Sequence, residues 1–139
     1  MINAGSAGPR PSIPSKETEM QFMTMLKMRE DVGAPPPEFH EAMGRYIAEV
    51  AAGGRLVTMG GLLPSAAGAE IRAGGGGIAV THGPFAEATE LVGGYAVFRV
   101  GSLQEAVAMA TDFVRLHVEH WPGWEGASEV RQIMEPPGA

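Results

Sequence analysis

The centre of the chain reads THGPFAEATELVGGY over residues 81–95. This stretch places a histidine, two glutamates, a Gly-Pro turn and a glycine pair between apolar segments. Residues 69–73 and 77–80 precede it and read as the two arms of a hairpin, with four glycines as the turn. Residues 95–100 follow it as a further strand, so the central stretch connects a hairpin to the next strand of a predicted sheet.

The segment before the hairpin predicts two strands and a helix. Residues 21–28 are apolar on both alternating faces, which is typical of a strand in a sheet covered on both sides. Pro36-Pro37 can open a helix, because a missing N–H costs nothing in its first turn, and Gly53-Gly54 ends it as the left-handed cap. Residues 55–63 predict a strand, in which Gly60-Gly61 suggests a bulge.

A second helix and a last strand follow the central stretch. Ser102 and Glu105 form a capping box, in which each side chain binds a free backbone N–H. Apolar residues at helical spacing continue to Val118, and Pro122 ends the helix. Residues 129–134 read as the final strand.

This order of elements predicts an α+β protein with the ferredoxin-like split β-α-β plan, in which both helices cover one face of an antiparallel sheet. The other face remains apolar, and a second copy of the chain is its natural cover, so we expect a homodimer. The domain is predicted over residues 19–135, with a flexible tail at 1–18 and a short tail at 136–139.

The central stretch also resembles a known family. Residues 82–95 are similar to the motif D-G-P-F-A-E-x-K-E-x-x-x-G-aromatic of the YCII-related proteins, in the branch named after DGPF. Supporting matches are Gly61 to Ser65, Ile71-Arg72, Ser102 to Ala106 and Glu129 to Ile133. The resemblance extends from Met20 to Met134 and implies a dimeric α/β barrel.

The resemblance implies no single activity, because the relatives differ in what they do. A few relatives look like cofactor-free enzymes, among them a dehydrochlorinase of chlorinated hydroxyquinol. More distant barrels carry out isomerase, monooxygenase or cyclase chemistry, and others lie beside sigma-factor genes. This chain departs from the family motif at His82, where the family has aspartate, and at Thr89, where it has lysine. The region at residues 117–126 is also longer than the corresponding region of the family and richer in aromatic side chains.

Composition excludes several classes of protein. The net charge is -6, and the 10 lysines and arginines form no cluster, which argues against nucleic-acid binding. The absence of cysteine excludes disulfides and thiol catalysis. The apolar segments are too short to span a membrane, and nothing reads as a signal peptide, so we expect a cytoplasmic protein with no membrane partner.

His82 is the first candidate for chemistry. An imidazole titrates near neutral pH, which suits a general base or proton shuttle. The alternative is that His82 only caps the Gly83-Pro84 turn. Glu87 is its predicted acid partner; Glu87 and Glu90 lie three residues apart, and they either share acid–base work or stabilise a helical turn.

The remaining candidates are predicted to bind substrate or metal. His117 and His120 are the only suggestion of a metal site, and helix-terminal histidines are also favoured by the helix dipole alone, so we predict no resident metal. Trp121 and Trp124 either stack on a flat aromatic substrate or pack the loop. Arg72 either holds an anionic group or forms an ordinary ion pair. The full predicted substrate-binding set is Arg72, Pro84, Phe85, Glu90, Arg131, Trp121 and Trp124.

These residues favour a small cofactor-independent enzyme of lyase or isomerase type, using general acid–base catalysis on a small organic substrate, aromatic ones included. A non-catalytic dimeric module that binds a ligand or regulates a partner is the alternative hypothesis. A cofactor-free oxygenase is a third, which no residue here requires.

Overall fold

The computed structural model describes residues 19–85 and 90–135. The elements are β1 (Met20–Met28), α1 (Pro37–Ala52), β2 (Leu56–Gly61), β3 (Ala69–Gly74), β4 (Gly77–His82), β5 (Leu91–Val100), α2 (Leu103–His120) and β6 (Gly126–Gln132). A short 3-10 turn, Ser65–Ala67, connects β2 to β3. The two predicted tails and the middle of the central stretch, residues 86–89, lie outside the described residues.

The main sheet has the strand order β2-β5-β1-β6, and every neighbouring pair is antiparallel. Helix α2 lies against β1, β5 and β6, and α1 packs mainly against α2. The arrangement is ferredoxin-like and α+β, which confirms the predicted fold class.

Both helix starts follow the sequence signals, with small differences. Pro37 opens α1, and the left-handed residue after it is Gly54, with φ 77°, while Gly53 remains right-handed. At α2 the Glu105 N–H donates to the Ser102 hydroxyl at 3.1 Å, as the capping box predicts. The Glu105 carboxylate accepts from the N–H of Gly101 at 2.6 Å, one residue earlier than expected.

The core between sheet and helices consists of two clusters. In the first, Phe22 lies opposite Phe98 in the register of β1 and β5, and Val100 and Ala106 complete it. The second is built from residues that are far apart in sequence: Leu26, Phe39, Trp121 and Trp124. The aromatic cluster thus holds the end of α2 and the loop after it against the start of α1.

β3 and β4 form a separate two-stranded hairpin, and all of their residues are exposed. Gly75 and Gly76 have positive φ and make its turn, which is shorter than the predicted four-glycine turn because Gly74 and Gly77 pair with each other. Cross-strand pairing places the side chains Ala69, Ile71, Ala73, Ile78, Val80 and His82 on one side. We call this side the apolar hairpin face.

Two expectations about the strands are wrong in detail. The irregularity in β2 lies between Leu56 and Thr58, whereas a bulge was predicted at Gly60-Gly61. Strand β5 begins at Leu91, four residues before the predicted start, because its Val92 to Gly94 segment pairs with β1 and β2.

The sheet face opposite the helices carries Met23 and Met25, which are half-buried. No helix of the described residues is long and apolar enough to cross a membrane.

Candidate functional site

A cavity of about 730 Å³ lies between the main sheet and the two helices. Its wall is contributed by β1, β2 and β5 on the sheet side and by α1 and α2 on the other. Because α1 packs mainly against α2, its apolar side leaves space above the sheet. The volume falls in the range typical of small-molecule sites, and most of the lining is apolar, which is also typical of them.

His117 lies in this wall, and aromatic rings surround it. Its ring centroid is 4.7 Å from those of Phe39 and Phe113 and 4.6 Å from that of Trp124, while Trp121 stacks nearly parallel at 6.5 Å. His117 is only 3% exposed. An imidazole in such surroundings is held in one orientation by packing on several sides.

The protonation of His117 follows from its contacts. Its Nδ1 lies 2.9 Å from the carbonyl oxygen of Phe113, which can only accept, so Nδ1 carries the proton and donates. Burial lowers the pKa of His117, because the charged form loses hydration, and the bond to the Phe113 carbonyl only partly opposes this. His117 is therefore neutral at pH 7, and its Nε2 is an acceptor.

Tyr46 is a second polar residue of the cavity wall, placed by α1. Its ring lies 5.3 Å from that of Phe113. Burial, with a smaller contribution from the negative charge of Asp112, raises the pKa of Tyr46 to about 12. The phenol keeps its proton at neutral pH and can donate a hydrogen bond.

Arg29 and Glu30 are the residues of the described lining that carry full charge at neutral pH, and both have partners. Arg29 binds Asp31 through Nε at 2.8 Å. Glu30 accepts from the Ser65 N–H at 2.6 Å and from the Ser65 hydroxyl at 2.8 Å. Such charge-assisted bonds fix the orientation of the carboxylate and occupy one acceptor site on each of its oxygens.

The contacts of Ser65 also anchor the central motif beside the cavity. Its hydroxyl accepts from the N–H of Phe85 at 3.2 Å, and the Gly83 N–H donates to the carbonyl of Gly68 at 2.9 Å. A side chain at position 83 would overlap the Ser65 carbonyl, so only glycine fits. Since Pro64 and Glu30 line the cavity, Ser65 connects the Gly83–Phe85 turn to residues of its wall.

The family model of the YCII-related domain matches residues 20–135, which is most of the chain. The chain belongs to the YCII-related family. Its place in the DGPF branch stays a prediction from the motif. Comparison with curated proteins finds no match.

In this YCII-related chain the predicted base, His82, is the last residue of β4 and is exposed. It is not part of the described cavity wall. Pro84 is exposed, and Phe85 is half-buried at the turn that Ser65 holds. The predicted acid, Glu87, and Thr89 lie outside the described residues, and Glu90 is exposed just before β5.

The two predicted anion anchors bind acidic neighbours on their own strands. Arg72 lies on β3 with its Nε 3.4 Å from Glu70. Arg131 lies on β6 with its Nη1 3.0 Å from Glu129. Lys27, and then Arg131, hold the pKa of Glu129 below its usual range. Both arginines are on exposed positions and lie apart from the described cavity wall.

The residues near the end of α2 divide between cavity and surface. Trp121 lines the cavity, and Trp124 packs behind His117 with its Nε1 buried and without a partner among the described residues. His120 Nδ1 lies 3.1 Å from Glu38. Within residues 19–85 and 90–135, no group of three metal-binding side chains comes together around His117 or elsewhere.

Sequence reasoning missed the cavity role of Tyr46 and that of His117. The dipole explanation for His117 does not account for a neutral ring, which gains little from a helix-terminal field. The available signal was the spacing of four residues between Phe113 and His117 on one face of α2, and again to Trp121 directly after the helix.

Proposed function

We propose that this chain is a small cofactor-independent enzyme of lyase or isomerase type, which acts by general acid–base chemistry on a small organic substrate bound in the cavity. The cavity is the observation that carries the proposal. It is large enough for a one- or two-ring molecule, and its lining is apolar with a few polar groups, as expected of a site that orients a ligand.

His82 and Glu87 remain the proposed base and acid. Support for His82 comes from the motif turn, because Phe85 is bound to Ser65 and Ser65 to Glu30, a residue of the cavity wall. The Gly83 N–H also donates to the carbonyl of Gly68, which holds the base of the hairpin beside Ser65. An imidazole there is exposed to substrate and solvent alike and can move a proton between them.

A homodimer is part of this proposal. Ile71, Ile78 and Val80 are 69%, 75% and 58% exposed, and they share one side of the hairpin with His82. An apolar surface of this kind favours burial against another protein surface. The half-buried Met23 and Met25 on the open sheet face favour the same partner.

The second candidate is a non-catalytic dimeric module that binds a small molecule in the same cavity. The observation in its favour is that His82 lies outside the described cavity wall. In that case the protein binds its ligand in the cavity and releases it without a chemical change.

The test begins with a panel of neutral one- and two-ring compounds, each screened for a ligand-induced rise in Tm. Every compound that binds is incubated with the protein, and the mixture is analysed by NMR for new products. The enzyme proposal expects turnover that His82→Ala abolishes while Tm changes little. The matched control is His120→Ala, which removes another histidine that lies outside the cavity wall.

Turnover that survives His82→Ala would reject His82 as the base. Binding without turnover of any compound would favour the non-catalytic module. Light scattering checks the dimer, for which we expect twice the mass of one chain.

A further inference from the structure

The cavity contains one hydrogen-bond acceptor whose direction is fixed by the fold. The Nδ1–H of His117 is committed to the Phe113 carbonyl, so the ring cannot exchange its two nitrogens without breaking that bond. Packing of Phe39, Phe113 and Trp124 around the ring resists its rotation. Nε2 is therefore a preorganised acceptor on a residue of the cavity wall, and it has no hydrogen-bond partner among the described residues.

The charges of the cavity restrict what it can bind. Arg29 already pairs with Asp31, and Glu30 accepts hydrogen bonds from Ser65, so both charged residues of the described wall have partners within the protein. A charged group placed in an apolar cavity without a partner costs several kcal/mol, on the order of what a small ligand gains by binding. This cost favours a neutral ligand.

The shape and chemistry of the wall add two further requirements. Phe39, Phe113 and Trp121 present flat aromatic surfaces, which pack best against another ring. An unpaired acceptor inside such a wall favours a ligand that donates a hydrogen bond, because an apolar ligand would leave the acceptor desolvated.

We propose that the cavity selects neutral aromatic molecules that carry a hydroxyl group, and that His117 Nε2 accepts the hydrogen bond of that hydroxyl. This inference rests on the proposed function, since it takes the cavity to be the ligand site. It makes His117 the binding residue that determines specificity, in a position that is distinct from the motif histidine His82.

The binding test uses three probes of similar size: 2-naphthol, which donates a hydrogen bond, 2-methoxynaphthalene, which does not, and naphthalene. We expect 2-naphthol to bind about tenfold more tightly than 2-methoxynaphthalene, as one hydrogen bond predicts. His117→Phe should remove that preference while the two-ring probes still bind. His120→Phe is the matched control on the same helix and should keep the preference.

The His117→Phe variant should fold, because the Phe113 carbonyl lies within α2 and is available to the helix backbone after the side-chain bond is lost. A second measurement does not depend on any variant. The ¹⁵N NMR shifts of His117 at pH 7 should show a neutral ring with the proton on Nδ1, and Nε2 should shift when 2-naphthol binds.

The outcomes separate this inference from the function on which it rests. Equal binding of 2-naphthol and 2-methoxynaphthalene to the wild type, or a ring protonated on Nε2, would overturn the role of His117 and leave the cavity as a ligand site. If none of the three probes binds, and no compound of the wider panel raises Tm, the proposed function fails together with this inference.

Discussion

The cavity and the hairpin each carry a histidine, and the surroundings of the two side chains differ in almost every respect. His117 is 3% exposed, packed among aromatic rings and bound to a backbone carbonyl. His82 stands at the end of a hairpin whose residues are all exposed. Contacts within one chain determine the protonation and the ring orientation of His117. His82 would be enclosed by other groups only if another surface covered the hairpin.

The difference shows how the two kinds of site are encoded. The hairpin and its motif are local, because Gly83, Phe85 and the strands before them follow one another in sequence. The cavity is non-local, since Phe39 of α1 meets His117 of α2, and Trp121 just after that helix, only when both helices pack. Mutations should therefore affect folding strongly at the cavity and weakly along the hairpin.

The largest effect is expected from Phe39→Ala. Phe39 is 6% exposed and contacts the rings of both His117 and Trp121, so its loss leaves a hole in the aromatic cluster. The free energy of unfolding should fall by about 4 kcal/mol. Urea unfolding followed by Trp fluorescence measures this directly, since both tryptophans belong to the cluster.

Ile78→Ala on the hairpin is the control for that comparison. Its side chain is 75% exposed, so the change should stay within about 0.5 kcal/mol for the single chain. A loss as large as that of Phe39→Ala would contradict the contrast between the regions. A loss that varies with protein concentration would instead locate the proposed second copy on the hairpin.

A smaller but still large effect is expected where the two regions join. In Gly83→Ala the new methyl group overlaps the Ser65 carbonyl, so the turn must shift away from Ser65 and its bond to Phe85. Unfolding free energy should fall by about 3 kcal/mol. Thermal unfolding measures the loss, and the same variant should weaken probe binding, because Ser65 holds Glu30 at the cavity.

Gly77→Ala is the matched control, because nothing lies within 4 Å of the methyl group it adds. It should unfold at nearly the wild-type temperature. Equal losses in the two variants would mean that the turn at Gly83 has no special role in attaching the hairpin.

The same contrast explains what the sequence could and could not predict. The capping pair Ser102 and Glu105 and the opening of α1 at Pro37 depend on neighbours in sequence, and both are confirmed. The early start of β5 was missed because Gly93 and Gly94 supply no apolar alternation, although they pair in the sheet.

The candidate site also has one part that is local in sequence and one part that is not. The motif histidine was evident from one stretch of sequence, and its catalytic role stays a prediction. The cavity was not predictable, because it arises where α1 packs on α2 and leaves the sheet partly uncovered. For the same reason no sequence pattern identified His117 as buried and neutral, since its neighbours come from α1, α2 and the loop after α2.

The smallest effect, and the sharpest comparison of the two histidines, is in the pH dependence of stability. Because burial lowers the pKa of His117 in the folded protein, the unfolded chain binds the proton more readily below its ordinary value of 6.5. The stability that the neutral ring contributes is complete above that value and is lost as the pH falls below it. His117→Phe should therefore reduce the fall in unfolding free energy between about pH 7 and pH 5. His82→Ala, which removes the exposed histidine, is the control. Urea titrations of the three proteins measure how steeply the free energy of unfolding changes with pH across this range.

A His117→Phe slope equal to that of the wild type would mean that the ring takes up its proton as readily in the cavity as in the unfolded chain. The two histidines would then differ in packing alone.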